Sequence, residues 1–379
     1  MMREVFVAAD NIISPIGFTS EQNFAGLKKN QSGIFLHNNL KLSPAPFHAS
    51  LFSNESKNFE PDNNYTKFEQ LLIASITTSL RNTDIDICDN KTVLIISSTK
   101  GNISLIETKK FDNELKERVS LHESAKMVAE HFDHPNKPVI ISNACISGVL
   151  ALLTGMRLIQ SGQYENAIVA GCDVITKFIL SGFQSFMAVS ASPCKPFDAE
   201  RDGVTLGEGA ASVVLSANEK YADNIRIAGG SVSNDANHIS GPSRTGEELA
   251  LAITNALSNA NLSAKDIDFI SAHGTATLYN DEMEAKAISL TNLETVPVNS
   301  LKGNYGHTLG AAGLIESIIT IHSMKENLVL PTRNFSSIGV SKPINICSTL
   351  QAAELKNCLK TASGFGGCNG AILFSKYKI

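Results

Sequence analysis

Apolar positions along the chain follow two patterns: short β-branched runs, and longer stretches in which apolar residues recur every three or four positions. The short runs predict strands, because a strand covered on both faces of a sheet consists almost entirely of apolar residues. Most of them are flanked by Gly, Ser, Asn or Pro, which favour turns. The nine predicted strands cover residues 5–8, 93–97, 139–142, 167–170, 212–215, 225–228, 269–272, 296–299 and 371–374.

Apolar residues at helical spacing follow several of these runs. Two capping boxes, in which a Thr is followed three residues later by a Glu, mark predicted helix starts. The predicted helices begin at Thr66 with Glu69 and at Thr245 with Glu248, cover residues 121–132 and 309–324, and run from Val149 to a stop at Gly162. Because strands and helices alternate over almost the whole chain, the sequence predicts a layered α/β protein.

Two segments interrupt this alternation. Residues 37–64 are rich in Asn, Ser and Pro, and we expect an excursion over the surface that carries no chemistry. Residues 173–197 contain four large apolar side chains, Phe178, Phe183, Phe186 and Met187. Such side chains usually pack in a core, but an apolar segment beside a reactive group also lines a substrate pocket.

The succession of strand, long helix, strand and reactive turn occurs twice. The chain becomes polar around residues 216–224, and the strand–helix pattern then begins again. We therefore predict two similar halves, residues 1–218 and 219–379, which arose by duplication. The first half carries Cys145 at a strand end, and the second carries His273 at the corresponding place.

Composition and charge exclude several classes of protein. The chain has 379 residues, of which 43% are hydrophobic and 18% charged, and it can bury a large core. With a formal net charge of -5 and basic residues spread along the chain, no nucleic-acid surface is expected. The N-terminal segment becomes charged early and no apolar stretch approaches bilayer length, so no membrane association is expected.

The cysteine pattern indicates reduced thiols. The seven cysteines are odd in number and lack CxxC spacing, which argues against a disulfide framework and against a thiolate zinc site. We therefore expect a cytoplasmic protein.

Cys145 is the strongest candidate for a nucleophile, because it lies where a predicted strand turns into an apolar helix. Backbone N–H groups and the dipole at a helix start favour an anion, so this thiol should ionise more readily than a free one. The same N–H groups can hold an oxyanion. The other six cysteines are interpreted as small core residues, and for Cys145 that interpretation remains the alternative.

Three further motifs follow predicted strands. Residues 271–277 (SAHGTAT) contain His273, whose irregular turn can fix one tautomer of the imidazole. Residues 299–316 bring Lys302 and His307 onto one loop and end at Glu316. Residues 364–369 (GFGGCN) form a bendable loop before the last predicted strand. Any one of these motifs is as often structural as functional.

Together, in this order and each at a strand end, these motifs resemble those of the β-ketoacyl-acyl-carrier-protein synthases of the thiolase superfamily. The resemblance covers nearly the full chain and includes residues 14–17 (SPIG), 196–198 (PFD), 201–203 (RDG), 207–209 (GEG) and 235–238 (DANH). It implies a thiolase-like α/β fold, in which the two halves form a five-layered α-β-α-β-α core. It also implies a dimer built across a shared sheet edge, for which residues 167–170 are the candidate.

The resemblance also implies a role for each residue of the motifs. Cys145 would be the acylated nucleophile, and His273 and His307 would support decarboxylation and condensation. Lys302 and Glu316 match a charged pair that organises the site. Phe365, between Gly364 and Gly366, matches a gating aromatic whose backbone N–H forms the oxyanion hole with that of Cys145. The implied substrate pocket contains Phe183, Phe186, Met187, Ser363, Thr275 and Thr277.

The two histidines favour elongation, since initiating synthases of the superfamily use Cys-His-Asn and degradative thiolases use a second cysteine. We predict an acyltransferase that condenses malonyl-acyl-carrier protein with an acyl group on Cys145, in fatty acid or polyketide/polyene biosynthesis. It needs no cofactor and no metal. The alternatives are a non-catalytic chain-length-factor-like subunit of a ketosynthase heterodimer, and a degradative thiolase. The expected partners are acyl- and malonyl-loaded carrier protein and either a second copy or a chain-length-factor-like homologue.

Three features depart from the usual pattern of the family. Ser363 stands where an aromatic ring is common, which indicates a roomier or more polar site. Cys368 stands where Thr is usual, so the hydrogen bonding of the glycine loop is open. Residues 302–307 (KGNYGH) are closer to the polyketide-type form of that motif, which favours a specialised pathway.

Overall fold

A computed structural model describes residues 3–53, 64–110, 112–236 and 241–377. Two residues of the motif at 235–238, Asn237 and His238, lie outside this description. Within the described residues no helix is both long and apolar enough to cross a membrane.

The strands, numbered along the chain, are β1 (Phe6–Ile13), β2 (Ile34–His37), β3 (Phe47–Ser50), β4 (Thr92–Ser97), β5 (Val139–Ile141), β6 (Asn166–Asp173), β7 (Leu206–Gly207), β8 (Gly209–Ser216), β9 (Ile225–Asn234), β10 (Phe269–Ser271), β11 (Pro297–Asn299), β12 (Leu328–Val329), β13 (Asn345–Ile346), β14 (Gln351–Ala352), β15 (Asn357–Gly364) and β16 (Cys368–Lys376). The helices are α1 (Ser20–Lys28), α2 (Lys67–Leu80), α3 (Leu105–Thr108), α4 (Asn113–Arg118), α5 (Leu121–His131), α6 (Ser147–Gln160), α7 (Lys177–Ser185), α8 (Glu247–Ala260), α9 (Leu278–Leu290), α10 (Lys302–Tyr305) and α11 (Ala312–Glu326).

One 11-stranded sheet contains two sets of strands with the same arrangement. The first set has the spatial order β5-β4-β6-β8-β1, and the second has β11-β10-β15-β16-β9 with β13 added at its edge. In each set the first three strands are parallel, and the last two pair antiparallel. The sets meet at one pair, Phe6 opposite Arg226. Such a repeat is what duplication produces, and the boundary between residues 218 and 219 stays a prediction.

The core has the five layers that the family resemblance implies. Helices α6 and α11 lie between the two sets of strands and contact both of them. On the outer faces, α2 packs on the first set, and α8 packs on the second with α9 beside it. The two central helices cross closely at Gly148, where an added Cβ would lie 2.6 Å from the backbone N of Leu314. Large apolar side chains from both sets fill the space around this crossing.

All nine predicted strands are present, and the capping box of Thr66 with Glu69 is confirmed. The box of Thr245 with Glu248 is wrong, although the helix exists. Gly246 adopts a left-handed conformation with φ 80° before α8, so the Thr245 hydroxyl accepts from the backbone N of Glu247 instead. Seven of the sixteen strands in the described residues were not predicted. They are the short strands β2, β7, β12, β13 and β14, the longer strand β15, and β3, which lies inside the segment expected to be irregular.

The predicted dimer edge is also wrong. Residues 167–170 belong to β6, which lies between β4 and β8 in the interior of the sheet. The physical reason is visible in the sequence, because β6 is apolar and buried on both faces, as a central strand must be. The edge of the first set is β5, whose three residues are partly exposed.

Candidate active site

Cys145 projects from a tight turn between β5 and α6. The Ser147 hydroxyl donates to the carbonyl of Ala144 and accepts from the backbone N of Asn143, at 2.7 and 2.8 Å. Ala144 adopts φ 44°, a left-handed conformation that side chains other than glycine rarely adopt. Such strain persists only where the surrounding structure enforces it, and here it sets the direction of the thiol.

The structure brings Cys145, His273 and His307 together. The sulfur and one ring nitrogen of each histidine lie within 4.8 Å of one another, and all three residues are buried. The imidazole rings are 5.2 Å apart between centroids and nearly perpendicular, at 83°. Cys145 follows β5 of the first set, whereas His273 follows β10 and His307 follows α10. The site is therefore assembled from both halves of the core.

Hydrogen-bond donors fix the tautomer of both imidazoles. The Lys302 ammonium lies 3.4 Å from Nδ1 of His273, and the backbone N–H of Leu309 donates to Nδ1 of His307 at 3.3 Å. Because an ammonium and an amide N–H can only donate, each Nδ1 is an acceptor. In the neutral ring the proton is then on Nε2. Each imidazole thus has one N–H left for a group bound in the site.

Both imidazoles are held in the neutral state. Burial lowers the pKa of His273 and of His307 well below the ordinary value, and the positive charge of Lys302 lowers both further. At neutral pH the site therefore offers two uncharged N–H donors next to a thiol.

Cys145, His273 and His307 also have the donor atoms of a zinc site. A metal-binding imidazole normally donates its other N–H to a carboxylate or carbonyl. In this site Nδ1 of each ring faces a hydrogen-bond donor, so the proton is on Nε2. Nε2 is the nitrogen that a metal would need. The donor set fits hydrogen-bond donation to a substrate better than it fits a metal.

The turn that carries His273 is held from two sides. Lys302 donates to the carbonyl of His273 at 2.6 Å and forms a buried ion pair with Glu316 at 2.7 Å. On the other side, the Glu284 carboxylate accepts from the backbone N of His273 at 2.7 Å and of Gly274 at 2.8 Å. The charged pair implied by the family resemblance is thus in contact with the histidine. Glu284, which follows the motif of residues 271–277 in the sequence, is a second support.

The expectation that the Cys145 thiol ionises readily is wrong for this structure. Burial raises its pKa to about 12, and a hydrogen bond from the Phe365 backbone and the charge of Lys302 counteract only part of that effect. Helix α6 begins two residues after Cys145, so the thiol precedes its first turn. The resting site therefore contains a thiol.

The glycine loop passes directly over the nucleophile. A Cβ at Gly364 would lie 2.9 Å from the backbone N of Cys145, so this approach requires glycine. The next two glycines, Gly366 and Gly367, adopt φ 86° and 76°. The backbone N–H of Phe365 reaches the Cys145 sulfur. The two N–H groups predicted to hold an oxyanion therefore lie beside the same sulfur.

Three aromatic rings close this side of the site. Phe183 stacks on Phe365, and Phe186 meets Phe365 edge to face, each at 5.6 Å between centroids. Phe183 also contacts the His307 ring, at 6.5 Å. The predicted pocket residues Phe183 and Phe186 are thus in place around the predicted gating residue. Met187, by contrast, is 89% exposed and lies at the surface of the chain.

The remaining predicted pocket residues are polar and bonded to neighbours. Ser363 donates to the Asn369 side chain at 2.7 Å, and the hydroxyls of Thr275 and Thr277 are 2.9 Å apart. The Cys368 sulfur contacts the carbonyl of Phe365 at 3.4 Å, and that of residue 143 at 3.7 Å. Cys368 therefore connects the glycine loop to the turn that carries Cys145. Its sulfur supplies the hydrogen bonding at the position where Thr is usual in the family.

Two buried charged residues at the site were not identified from the sequence. Asp173, at the end of β6, accepts from the Ser98 hydroxyl at 2.8 Å and from the backbone N of Gly310 at 2.7 Å. It links β4 to the turn after His307. Lys360, on β15, contacts Glu316 at 2.8 Å. The available signals were a carboxylate at the end of an apolar strand for Asp173 and a charged residue inside a strand for Lys360.

Comparison with known proteins identifies the family. The model of "Beta-ketoacyl synthase, N-terminal domain" matches residues 3–220, and that of the C-terminal domain matches residues 225–336. The chain belongs to the β-ketoacyl synthase family, and with it to the acyltransferases.

Individual relatives match most or nearly all of the chain. The chain is 28% identical to 3-oxoacyl-[acyl-carrier-protein] synthase 2 of Vibrio cholerae, over 99% of both chains. It is 32% identical to the protein of the same name from Rhizobium meliloti, over 64% of this chain and 61% of the relative.

Solved structures share the fold. The ishigamide ketosynthase/chain length factor superimposes with a TM-score of 0.90 at 24% identity, over 100% of both chains. A β-ketoacyl synthase from Burkholderia phymatum gives 0.89 at 24% identity, also over 100% of both. The fold is thus the thiolase-like one that the sequence predicted.

Proposed function

We propose that this chain is an elongating β-ketoacyl-acyl-carrier-protein synthase, in which Cys145 carries the acyl group. The observation that supports this most is the meeting of one thiol and two neutral imidazole N–H donors in a single buried site. These are the groups that a decarboxylative condensation needs, and each is held by its own set of hydrogen bonds.

The first step is acyl transfer. The Cys145 sulfur attacks the carbonyl of an acyl-carrier thioester, the bond from that carbonyl to the carrier sulfur breaks, and the thiol proton ends on the released carrier thiol. The negative charge that develops on the carbonyl oxygen is stabilised by the backbone N–H groups of Cys145 and Phe365. Since the exchange consumes no net proton, a resting thiol is compatible with it.

The second step is condensation with a malonyl-carrier thioester. The carbon–carboxylate bond breaks, carbon dioxide leaves, and the electron pair becomes an enolate whose oxygen accepts from Nε2–H of His273 and His307. The enolate carbon then attacks the acyl carbonyl on Cys145. A carbon–carbon bond forms, and the carbon–sulfur bond breaks with its electron pair returning to the Cys145 sulfur. The β-ketoacyl chain leaves on the carrier, and the sulfur takes up one proton from solvent to become a thiol again. Burial of both imidazoles strengthens these hydrogen bonds by excluding water.

Neither alternative is favoured. A non-catalytic chain-length-factor-like subunit has no use for a thiol with two oriented imidazoles. A degradative thiolase uses a second cysteine in the reaction, whereas the Cys368 sulfur is engaged with two backbone carbonyls.

Intact mass spectrometry after incubation with acyl-carrier thioesters tests the assignment. We expect one acyl group on the wild-type chain and on Cys88→Ala, a control at an exposed thiol, and none on Cys145→Ala. His273→Asn and His307→Asn should still accept the acyl group but release little carbon dioxide from malonyl-carrier protein. Wild-type rates of β-ketoacyl formation by Cys145→Ala would exclude the proposal.

The proposed partners are acyl- and malonyl-loaded carrier protein and a second chain of the same fold. The strand β5 supports the dimer, because an edge strand has unpaired backbone groups that a second strand can bind. β5 also leads directly into Cys145, so pairing there would steady the nucleophile turn. Light scattering of the chain expressed alone separates the two partners: a dimer indicates a second copy, and a monomer indicates a chain-length-factor-like homologue.

The location and the pathway are also part of the proposal. All seven cysteines are free, which supports the cytoplasm. The polyketide-type form of residues 302–307 (KGNYGH) supports a polyketide or polyene substrate over a saturated fatty acyl chain, and Ser363 in place of an aromatic ring is compatible with it. A panel of saturated and polyenoyl carrier thioesters decides this, and faster acylation of Cys145 by the saturated members would favour fatty acid synthesis.

A further inference from the structure

Lys360 is a buried cation that the proposed reaction leaves without a role. Its side chain is 0% exposed, and its Nζ lies 2.8 Å from Oε2 of Glu316. Oε1 of the same carboxylate is 2.7 Å from the ammonium of Lys302. One buried carboxylate therefore carries two ammonium groups, and the ion pair predicted from the sequence is in fact a triad.

The two lysines also bind the main chain that leads to His273. Lys360 donates to the carbonyl of Ser271 at 3.2 Å and to that of Ala272 at 3.1 Å, and Lys302 donates to the carbonyl of His273. Lys360 lies directly opposite Ser271 in the pairing of β15 with β10. Three successive carbonyls at the end of β10 are thus held by two ammonium groups.

Four charged side chains from four elements reach this turn. They are Lys302 on α10, Glu316 on α11, Glu284 on α9 and Lys360 on β15. Glu284 is bound to backbone N–H groups and to the Thr361 hydroxyl, whereas Glu316 is shared by the lysines.

The charge of this triad acts on both imidazoles. Burial has the largest lowering effect on the pKa of His273 and His307, and the charges of Lys302 and Lys360 lower both further. Burial also lowers the pKa of Lys360 itself, and the nearby Glu316 counteracts part of that effect.

We propose that Lys360 is a positioning residue for the condensation: it holds the turn of His273, and its charge keeps both imidazoles in the neutral state that donates hydrogen bonds to the enolate. This inference rests on the proposed ketosynthase function. Lys302 alone would be balanced by Glu316, so that pair would have no net charge. With Lys360 the triad carries one net positive charge, which opposes protonation of the imidazoles and favours an anion between them. The balancing negative charge is on Glu284, whose carboxylate is bound to the backbone N–H groups of His273 and Gly274.

Two variants separate the charge of Lys360 from its hydrogen bonds. Lys360→Met keeps a long side chain and removes both, whereas Lys360→Gln removes the charge and keeps an N–H donor. Lys356→Met, at an exposed lysine just before the same strand, is the control. Two quantities are measured from pH about 5 to about 9, a range that brackets the ordinary histidine titration. They are the rate of malonyl-carrier decarboxylation and the ¹⁵N spectrum of histidine-labelled protein.

In the wild type and in Lys356→Met we expect both imidazoles to stay in the Nε2–H form over this range. In both Lys360 variants at least one imidazole should take up a proton at a pH about one unit higher than in the wild type. Decarboxylation by the variants should then fall by up to about twofold between pH 8 and pH 5, whereas the wild-type rate should change little for this reason. Lys360→Gln should keep more of the rate near pH 8 than Lys360→Met, because its amide still binds carbonyls.

Unchanged spectra and an unchanged pH profile in both variants would overturn the inference. A loss of activity that is equal at every pH, with no shift in the spectra or in the pH profile, would also overturn the inference. Substitution of a purely structural residue has that effect. If the wild type does not decarboxylate malonyl-carrier protein, the proposed function fails, and the spectra still decide the effect of the charge. If neither variant folds, a wild-type spectrum in which either imidazole protonates above pH about 6 would refute it.

Discussion

The substitution Glu284→Gln tests the hydrogen bonds that hold the turn of His273. The Glu284 side chain is fully buried, and its Oε1 accepts from the backbone N of His273 and from the Thr361 hydroxyl, at 2.7 and 2.6 Å. Its Oε2 accepts from the backbone N of Gly274 at 2.8 Å. Glutamine has the same shape but a single acceptor oxygen. In either orientation the side-chain NH2 of the glutamine therefore faces one backbone N–H. Two hydrogen-bond donors then lie opposite each other, and neither has an acceptor.

The magnitude follows from these bonds. A buried N–H left without an acceptor costs about 1–3 kcal/mol, and here the loss of a charged acceptor adds to that cost. We expect Glu284→Gln to lower the free energy of unfolding by about 3 kcal/mol. Thr361→Val is the matched variant, since it removes the hydroxyl and leaves both backbone bonds intact, and it should cost about 1 kcal/mol.

Urea denaturation measures both stabilities, and two assays measure the consequence for the reaction. In Glu284→Gln the condensation rate should fall by about tenfold or more, because a displaced His273 no longer reaches the enolate, while acylation of Cys145 changes little. Thr361→Val should condense at close to the wild-type rate. The reasoning is refuted if Glu284→Gln is as stable and active as the wild type, or if Thr361→Val costs as much as Glu284→Gln.

Three further predictions concern stability and the thiol. Burial alone would raise the pKa of Asp198, but hydrogen bonds from residues 200, 336 and 337 hold it at about 2 against an ordinary 3.8. Asp198→Asn should therefore lower the free energy of unfolding by about 2 kcal/mol at pH 7. This difference from the wild type should shrink as the pH falls from 3.8 through about 2, and a difference independent of pH in denaturation experiments would contradict the prediction. Gly148→Ala should lower the free energy of unfolding by about 2 kcal/mol, because the added methyl group forces the central helices apart. At Gly182 an added Cβ has no neighbouring atom within 4 Å, so Gly182→Ala should raise the free energy of unfolding by about 0.5–1 kcal/mol; thermal unfolding measures both. Because the pKa of Cys145 is raised to about 12, its alkylation by iodoacetamide should still accelerate above pH 9, and a plateau below pH 8 would count against a buried thiol.

The sequence predicted most of the strands because their burial on both faces leaves an unbroken apolar run. The strand β15 was not predicted, because Lys360 and Thr361 interrupt its apolar pattern at the centre. Both side chains are buried there because Glu316 and Glu284 bind them. The partners in a buried polar network lie far apart in the chain, so the sequence around one of them does not predict the network. The same holds for the conformation of Gly246, which moved the start of α8.

The three reactive groups of the site and several of their neighbours were predicted, but their protonation states were not. Motif order placed Cys145, His273 and His307 at strand ends, and parallel strands bring such ends to one edge. The tautomers depend on where Lys302 and the N–H of Leu309 point, which only the folded turn decides. The thiol pKa was predicted in the wrong direction because a helix start was considered without the burial that accompanies it. Likewise, strand order within the sheet is a property of the tertiary fold, and this is why β6 was mistaken for an edge.

The hairpin of β15 and β16 occupies the centre of the second set of strands and supplies Phe365 and Lys360 to the site. A nascent polypeptide that has emerged only as far as residue 356 already contains the sulfur and both imidazoles. It lacks one of the two backbone donors for the oxyanion, and it lacks the second cation. Both groups are therefore in place only in a chain whose last hairpin has inserted between β10 and β9.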